Sequence, residues 1–337
     1  YIKGNGHALS TDGYFSTFIS NGVSTELCFI AFSLLTLVIV FAGVKNGIER
    51  VSKIMMPILV VLSCVITVYS VTRPGALEGV KYFLVPNFKN FSWMTVVTAM
   101  GQMFYSLSIA MGILITFGSY TEKEVSIENS TENVEVFDTA IAIMAGLMII
   151  PAVFAFSNGN MDNLNAGPSL MFITIPKVFD SMGLGTLIGI LFFVLVLFAA
   201  LTSSIALTEC AVSTFQDELG WSRHKSVCVL GIVMLALGSL SSLGYGPLAS
   251  IQIIGMQFLD FFDFLTNSVM MPISAICICL LVSRVIGVDK IAEEIKSHNN
   301  PFKREKIFNF MIKYVCPIFA AIILLSSVAN AFGIIKM

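Results

Sequence analysis

Eight long apolar stretches constrain this chain more than any other feature of its sequence. A helix needs about 20 apolar residues to cross the hydrocarbon core of a bilayer, and a spanning segment must satisfy its own backbone hydrogen bonds. The sequence therefore predicts an all-α integral membrane protein that crosses the lipid bilayer eight times. The predicted spans are Leu27–Val44, Ile54–Val71, Trp93–Tyr120, Phe137–Phe156, Leu184–Thr214, Ser226–Leu243, Phe258–Val282 and Phe308–Ile335.

The composition agrees with a protein surrounded by lipid. Hydrophobic residues make up 56% of the chain and charged residues only 12%, which leaves too little polar surface to cover a water-soluble globule of this size. The formal net charge is -2. Without a broad basic face, nucleic acid is excluded as an expected partner.

The placement of Lys and Arg predicts the orientation of the chain. Loops on alternate sides of the membrane differ in basic residues, and most of the 19 Lys and Arg fall on one side, which the positive-inside rule assigns to the cytoplasm. Both chain ends are then outside, with residues 1–26 an extracellular loop and residues 27–337 the transmembrane domain. The polar opening at Tyr1 has neither an initiator methionine nor a signal peptide, so we expect an N-terminal truncation.

The outer segment between the fourth and fifth spans contains one amphipathic run, FITIPKVF, at residues 172–179. Such a run can form a short helix that lies over the outer face of the protein. A lid and a plain connector are both compatible with the pattern.

Small and polar residues cluster in the third span. Gly101, Gln102, Ser106, Ser108 and Gly112 lie within a few turns of each other. One interpretation is close helix packing, because Gly and Ser permit close approach. The other is a helix interrupted to present backbone groups at a binding site.

Hydroxyl groups cluster in the fifth span, where Thr202, Ser203 and Ser204 are consecutive. Hydroxyl and carbonyl oxygens are ligands for a hard cation such as sodium. Glu209 lies two turns further on, at a depth where an ionised carboxylate needs a partner. Asp138, near the start of the fourth span, can be a simple helix N-cap.

Gly47 and Pro57 enclose nine residues at the start of the second span. Both residue types weaken a helix, glycine through its backbone freedom and proline through its missing donor. The segment can be one that unwinds, or it can be an ordinary boundary between a loop and a helix.

Three sequence motifs together resemble the neurotransmitter:sodium symporter family, and especially its bacterial eleven-span amino-acid transporters. They are GQMFYSLS followed by GSY at 101–120, LTSSIA at 201–206, and the pair Gly47 and Pro57. The resemblance implies a leucine-transporter-type inverted-repeat fold. It matches this chain to the family's fourth to eleventh spans, with the first three spans lacking, so the truncated chain itself is expected to be inactive.

The resemblance also implies two sodium sites and a substrate pocket. Ser106 and Asp138 match ligands of the first sodium ion, which in the family also touches the substrate carboxylate. The Ala199 carbonyl and the Thr202 and Ser203 hydroxyls match ligands of the second. The substrate-binding positions are Tyr105, Ser106, Ser108, Met111, Ser203 and Leu207. None of these six side chains is charged, which favours a neutral, hydrophobic or aromatic amino acid.

Further residues match gates of the family. Asp263 corresponds to the outer-gate acid, Asp217 to the inner-gate acid and Tyr120 to the inner-gate tyrosine, while Gly47 and Pro57 flank the segment expected to unwind. Gln102 lies near the place where chloride binds in some relatives, and the need for chloride stays open. A homodimer also stays open, and the resemblance implies a bacterial inner membrane.

The predicted function is therefore sodium-coupled symport of an amino acid by alternating access, without catalysis. Another solute transporter of the same fold is the first alternative. A membrane-embedded enzyme would need a convergent acid, base or metal set within the spans, and the sequence has no HExxH motif and no Cys-x-x-Cys pair. A channel would need a ring-forming filter or repeated pore charges.

Overall fold

A computed structural model describes residues 9–11, 13–157, 170–181, 183–297 and 301–332. This part of the chain is built from helices joined by short connections. In chain order they are α1 Tyr14–Ser20, α2 Gly22–Phe41, α3 Val44–Val71, α4 Ala76–Leu84, α5 Trp93–Ser106, α6 Ile113–Ser119, α7 Ile127–Ser157, α8 Ile175–Asp180, α9 Gly185–Leu219, α10 Arg223–Leu243, α11 Phe258–Ile286, α12 Val288–Lys296 and α13 Glu305–Ala331.

Seven of the described helices are long and apolar enough to cross a membrane, namely α2, α3, α7, α9, α10, α11 and α13. The prediction of eight spans is not confirmed, because the third stretch is not among these seven helices. Residues 93–120 form the two shorter helices α5 and α6 with an interruption between them. The first spanning helix begins at Gly22, earlier than the predicted Leu27, and the predicted end of the last span at Ile335 lies outside the described residues.

Several of the long helices contain a wider π-helical turn. Such turns occur at Val44–Glu49 in α3, at Phe264–Met270 and Leu281–Ile286 in α11, and at Met311–Val315 in α13. π-Helical turns are rare and are found frequently at functional sites. The turn in α3 contains Gly47, and the first turn in α11 follows Asp263 directly.

The chain divides into two compact units, and the first comprises residues 1–88 and 139–251. Within it α2 packs against α9 and α10, and α9 also packs against α3. Small residues permit this close packing, since Gly231 and Gly238 of α10 face Leu37 and Phe29 of α2. The hydrophobic core of the unit contains Leu59, Ile66, Met148, Ala152, Val153, Ile175, Val178, Phe179, Ile188, Phe192 and Leu195.

Helix α8 contributes three of these core residues and forms the second half of the amphipathic run at 172–179. The run is helical, with a π-helical turn at Leu170–Thr174 before α8. Ile175, Val178 and Phe179 are nearly or fully buried. Because apolar burial of this extent stabilises the folded state, α8 is anchored in its unit by these residues, and its role as a lid or a connector stays a prediction.

The turn between α9 and α10 follows from two residues. Gly220 has φ +63° and caps the C-terminus of α9, a left-handed conformation that glycine adopts without steric cost. Ser222 then caps α10, its side chain accepting a hydrogen bond from the Lys225 amide. This tight connection makes α9 and α10 adjacent antiparallel helices.

The second unit comprises residues 89–138 and 252–337. Its core is formed by Phe104, Met271, Ala275, Ala320 and Ile323, which join α5, α11 and α13. The beginning of α7 also belongs to this unit.

The acidic beginning of α7 is held by the two residues that precede α13. The Glu128 carboxylate accepts hydrogen bonds from the backbone amides of Lys303 and Arg304, at 3.0 and 3.1 Å. The Arg304 guanidinium pairs with Glu132 and Glu135, each at 3.2 Å. The acidic residues of this segment therefore have a structural role within the second unit.

Candidate functional site

The interruption between α5 and α6 is a defined backbone structure rather than a loose loop. At the end of α5 the Ser108 amide bonds to the Tyr105 carbonyl and the Ile109 amide bonds to the Phe104 carbonyl, both at 3.0 Å. These two bonds form a Schellman motif, whose left-handed position is usually glycine. Here that position is Ser108, with φ +53°.

Two further left-handed residues complete the interruption. Ala110 has φ +64°, and Gly112, with φ +81°, caps the N-terminus of α6. A left-handed conformation costs a residue other than glycine about 1–2 kcal/mol, so Ser108 and Ala110 hold strain that the surroundings must offset. Of the two interpretations of the polar cluster in the third span, the structure shows the interrupted helix.

The first predicted sodium pair lies at the end of α5. The Ser106 hydroxyl donates a hydrogen bond to Oδ1 of Asp138 at 2.7 Å. Asp138 lies well inside α7, which begins at Ile127, so the alternative that it caps this helix is wrong. The pair places a carboxylate and a hydroxyl beside the helix interruption, and oxygen atoms of this kind are the ligands that hard cations prefer.

The second predicted sodium set lies along α9. The Thr202 hydroxyl donates to the carbonyls of Ala199 and Phe198, at 3.0 and 3.1 Å. Ser203 follows with an exposed side chain, while the Ser204 hydroxyl lies 3.1 Å from that of Thr36 on α2. The structure therefore brings two of the three predicted oxygen groups together and leaves the third exposed on the adjacent face.

The remaining substrate positions fall in both units. Tyr105, half exposed, lies in the last turn of α5, and Ser108 and Met111 lie within the interruption, all in the second unit. Ser203 and Leu207 lie one turn apart on α9, both exposed, in the first unit.

Three predicted gate residues have local partners. Asp263 accepts a hydrogen bond from the Asn267 amide group at 2.6 Å, and Asp217 accepts one from the Ser213 hydroxyl at 3.3 Å. Tyr120 caps the end of α6, with its ring edge-on to Phe117 at 6.1 Å. Gln102 lies one turn before Ser106 on α5, with an exposed side chain. These are contacts with residues of the same helix, and the gating roles remain predictions.

The segment between Gly47 and Pro57 is wound in this structure. Gly47 lies in the π-helical turn Val44–Glu49, and Pro57 lies inside the α-helical part of α3. Gly47 is buried, and a Cβ placed there would overlap the carbonyl oxygen of Ile39 in α2. The unwinding expected from the resemblance remains a prediction, and the segment is more than a loop boundary.

The structure also reveals an ion pair that the sequence did not assign. Glu209 is completely buried in α9 and binds the Arg223 guanidinium through both carboxylate oxygens, at 3.0 and 2.5 Å. The same guanidinium donates to the Val40 carbonyl at the end of α2. A carboxylate inside an apolar stretch indicated that a partner was needed, but nothing in the sequence pointed to the first residue of α10.

Comparison with known proteins agrees with this architecture. The chain is 33% identical over 323 residues to the uncharacterized sodium-dependent transporter YhdH of Bacillus subtilis, covering 96% of this chain and 70% of that protein. It is 31% identical to an uncharacterized sodium-dependent transporter of Haemophilus influenzae, covering 88% of this chain and 64% of that protein.

A solved structure is similar as well. The crystal structure of MhsT in complex with L-phenylalanine superposes with a TM-score of 0.81 at 35% identity, covering 96% of this chain and 74% of MhsT. Residues 15–334 match the Sodium:neurotransmitter symporter family. Because the match covers almost the whole chain, the chain belongs to the sodium:neurotransmitter symporter family, a family of membrane transporters.

Proposed function

We propose that this protein is a symporter that uses sodium to accumulate a neutral, hydrophobic or aromatic amino acid by alternating access. The observation that carries the proposal is the hydrogen bond between Ser106 and Asp138 at the helix interruption. It brings a hydroxyl and a carboxylate to a place where backbone groups are released from helical bonding, and sodium requires such oxygen ligands.

The oxygen groups of α9 support a second sodium ion. The Ala199 carbonyl and the Thr202 hydroxyl are in contact, and the Ser203 hydroxyl follows on the same helix. Among the described residues no group of three or more His, Cys, Asp or Glu side chains is arranged to hold a metal ion. The ligands proposed for the two ions are carbonyl and hydroxyl oxygens together with the Asp138 carboxylate, and the ions are transported as cargo.

The side chains at the predicted substrate positions support a neutral substrate. Tyr105, Ser108, Met111, Ser203 and Leu207 carry no charge, and methionine adapts its shape to irregular apolar ligands. The similar protein MhsT is described in complex with L-phenylalanine. We therefore take L-phenylalanine as the first substrate to test.

Sodium supplies enough free energy for such transport. Each ion that enters gains about 2.3 kcal/mol from a potential of 100 mV, and about 1.4 kcal/mol from a tenfold concentration gradient. Two ions then supply about 7 kcal/mol. Asp263, Asp217 and Tyr120 are the proposed gate residues, and unwinding between Gly47 and Pro57 is the proposed inward release path for sodium.

Uptake into proteoliposomes tests the proposal. Full-length protein is reconstituted in anionic lipid vesicles and given labelled L-phenylalanine and other neutral amino acids, with sodium or potassium outside. We expect uptake in sodium alone, and we expect Asp138→Ala and Ser203→Ala to abolish it. Glu78→Ala is the matched control, because Glu78 is an exposed acid paired with Lys81. Uptake that is indifferent to sodium, or unaffected by both variants, would refute the proposed sites.

Two further measurements test the need for chloride and the oligomeric state. Replacing external chloride by gluconate shows whether uptake requires chloride. Light scattering of the purified protein determines whether it is a homodimer. A bacterial inner membrane is the proposed location, since two similar proteins come from bacteria.

A further inference from the structure

The two ends of the helix interruption are stabilised in different ways. The Schellman motif at the end of α5 satisfies its backbone groups locally. Further along, the Ala110 carbonyl accepts a hydrogen bond at 3.2 Å from the Ser274 hydroxyl of α11. Both residues belong to the second unit, so one side chain from another helix reaches the interrupted backbone.

Packing around Ser274 directs its hydroxyl to this carbonyl. Met271 and Ala275 flank Ser274 on α11 and are buried in the core of the second unit. Ile109, Ala110 and Met111 pack against the same core. The backbone of the interruption therefore lies directly on the part of α11 that presents Ser274.

The hydrogen bond from Ser274 stabilises a part of the backbone that is otherwise unfavourable. Ala110 holds a left-handed conformation that is unfavourable for a residue with a Cβ, and such strain persists only when the surroundings impose it. A carbonyl group without a partner is also costly in an apolar environment. The Ser274 hydroxyl gives the Ala110 carbonyl a partner at the same residue that holds the strained backbone conformation.

We propose that Ser274 is a positioning residue that holds residues 107–112 in the form that binds the substrate. This inference rests on the proposed function, because Ser108 and Met111 on either side of Ala110 are the substrate positions whose orientation the bond maintains. Ser274 acts on the substrate through the backbone of the interruption.

Kinetics of a matched pair of variants tests the proposal. Thr keeps the hydroxyl donor of Ser274, while Val has the same shape as Thr without a donor. We expect Ser274→Val and Ser274→Ala to raise the half-saturating concentration of L-phenylalanine about five- to tenfold with little change in maximal rate, in line with loss of one hydrogen bond. Ser274→Thr is expected to stay near the wild type. Equal concentrations for the Thr and Val variants would overturn the proposal.

Amide hydrogen exchange provides a second measurement that does not depend on transport. In detergent, with no amino acid added, exchange in residues 107–113 is expected to be faster in Ser274→Val than in Ser274→Thr. Thr98→Val is the control, since the Thr98 hydroxyl bonds back to Met94 within α5, and it should leave this exchange unchanged. Equal exchange in the Thr and Val variants would also overturn the proposal. Lack of sodium-dependent uptake in the wild type would count against the proposed function instead.

Discussion

At the scale of single residues, Glu209 shows how an apolar helix accommodates a charge. Its carboxylate is fully buried, and Arg223, with 19% of its side chain exposed, binds both oxygens. The guanidinium also donates to the Val40 carbonyl, so one side chain connects α9, α10 and the end of α2. Breaking such a buried pair by removing one partner is costly, because the other charge stays buried without compensation.

We expect Glu209→Ala to destabilise the protein by about 3–5 kcal/mol. Thermal unfolding in detergent measures the loss. Glu49→Ala is the control, because Glu49 and Lys53 form a solvent-exposed pair on α3, and exposed pairs contribute little. Replacing both buried partners, in Glu209→Leu with Arg223→Met, should recover much of the loss. Equal midpoints for the two alanine variants would show that the buried pair is not structurally important.

The residues of the first sodium site show what sequence can and cannot provide at this scale. The family resemblance paired Ser106 with Asp138, and the structure brings their oxygens to 2.7 Å. Residue type alone left Asp138 open as a helix cap, because a carboxylate serves both purposes. Arg223 could not be paired from sequence, since a basic residue at a helix start is ordinary and its partner is 14 positions away.

At the scale of helices, hydropathy located most spans but not their internal form. Seven predicted spans correspond to continuous helices. They were found because a run of about 20 apolar residues is what a helix needs to cross the hydrocarbon core of a bilayer. The third run contains more small and polar residues, and it divides at Ser108, Ala110 and Gly112. Only Gly112 has a residue type that indicates a left-handed backbone, so the sequence does not locate the left-handed positions at Ser108 and Ala110.

Helix α8 shows another limit of sequence patterns. Its amphipathic run indicated a short helix, which the structure shows, and its Val178 and Phe179 are buried in the core of the first unit. Periodicity shows that a helix has an apolar side and does not show what covers that side. Residues of α3, distant in sequence, and of α9, the next helix in the chain, cover the apolar side of α8.

Gly47 provides a test at this scale. A Cβ at Gly47 would overlap the Ile39 carbonyl, and backbone cannot move aside as a flexible side chain can. We therefore expect Gly47→Ala to lower the thermal midpoint in detergent by the equivalent of about 1–3 kcal/mol, as for other overpacked sites. Gly118→Ala in α6 is the matched control, because a Cβ there meets open space, and it should be neutral or slightly stabilising. A midpoint for Gly47→Ala at or above the control would contradict the tight contact.

At the scale of the whole molecule, the proposed function couples two kinds of ligand. The resemblance assigns to Ser106 and Asp138 a sodium ion that also touches the substrate carboxylate. If sodium completes the substrate site, each ligand must raise the affinity for the other by the same factor. Ligands that bind only the folded protein also raise its stability by mass action, by about 2.7 kcal/mol at a hundred times the dissociation constant.

Thermal unfolding of the purified full-length protein can detect this coupling without transport. We expect L-phenylalanine to raise the midpoint by a few degrees in sodium and to have no effect in potassium. Asp138→Ala should remove the effect of the amino acid in sodium, because its carboxylate is the charged ligand of the proposed site, whereas Glu78→Ala should retain it. Equal stabilisation by L-phenylalanine in sodium and potassium would show that the amino acid binds independently of sodium. The role of Asp138 would then be limited to its structural hydrogen bond with Ser106.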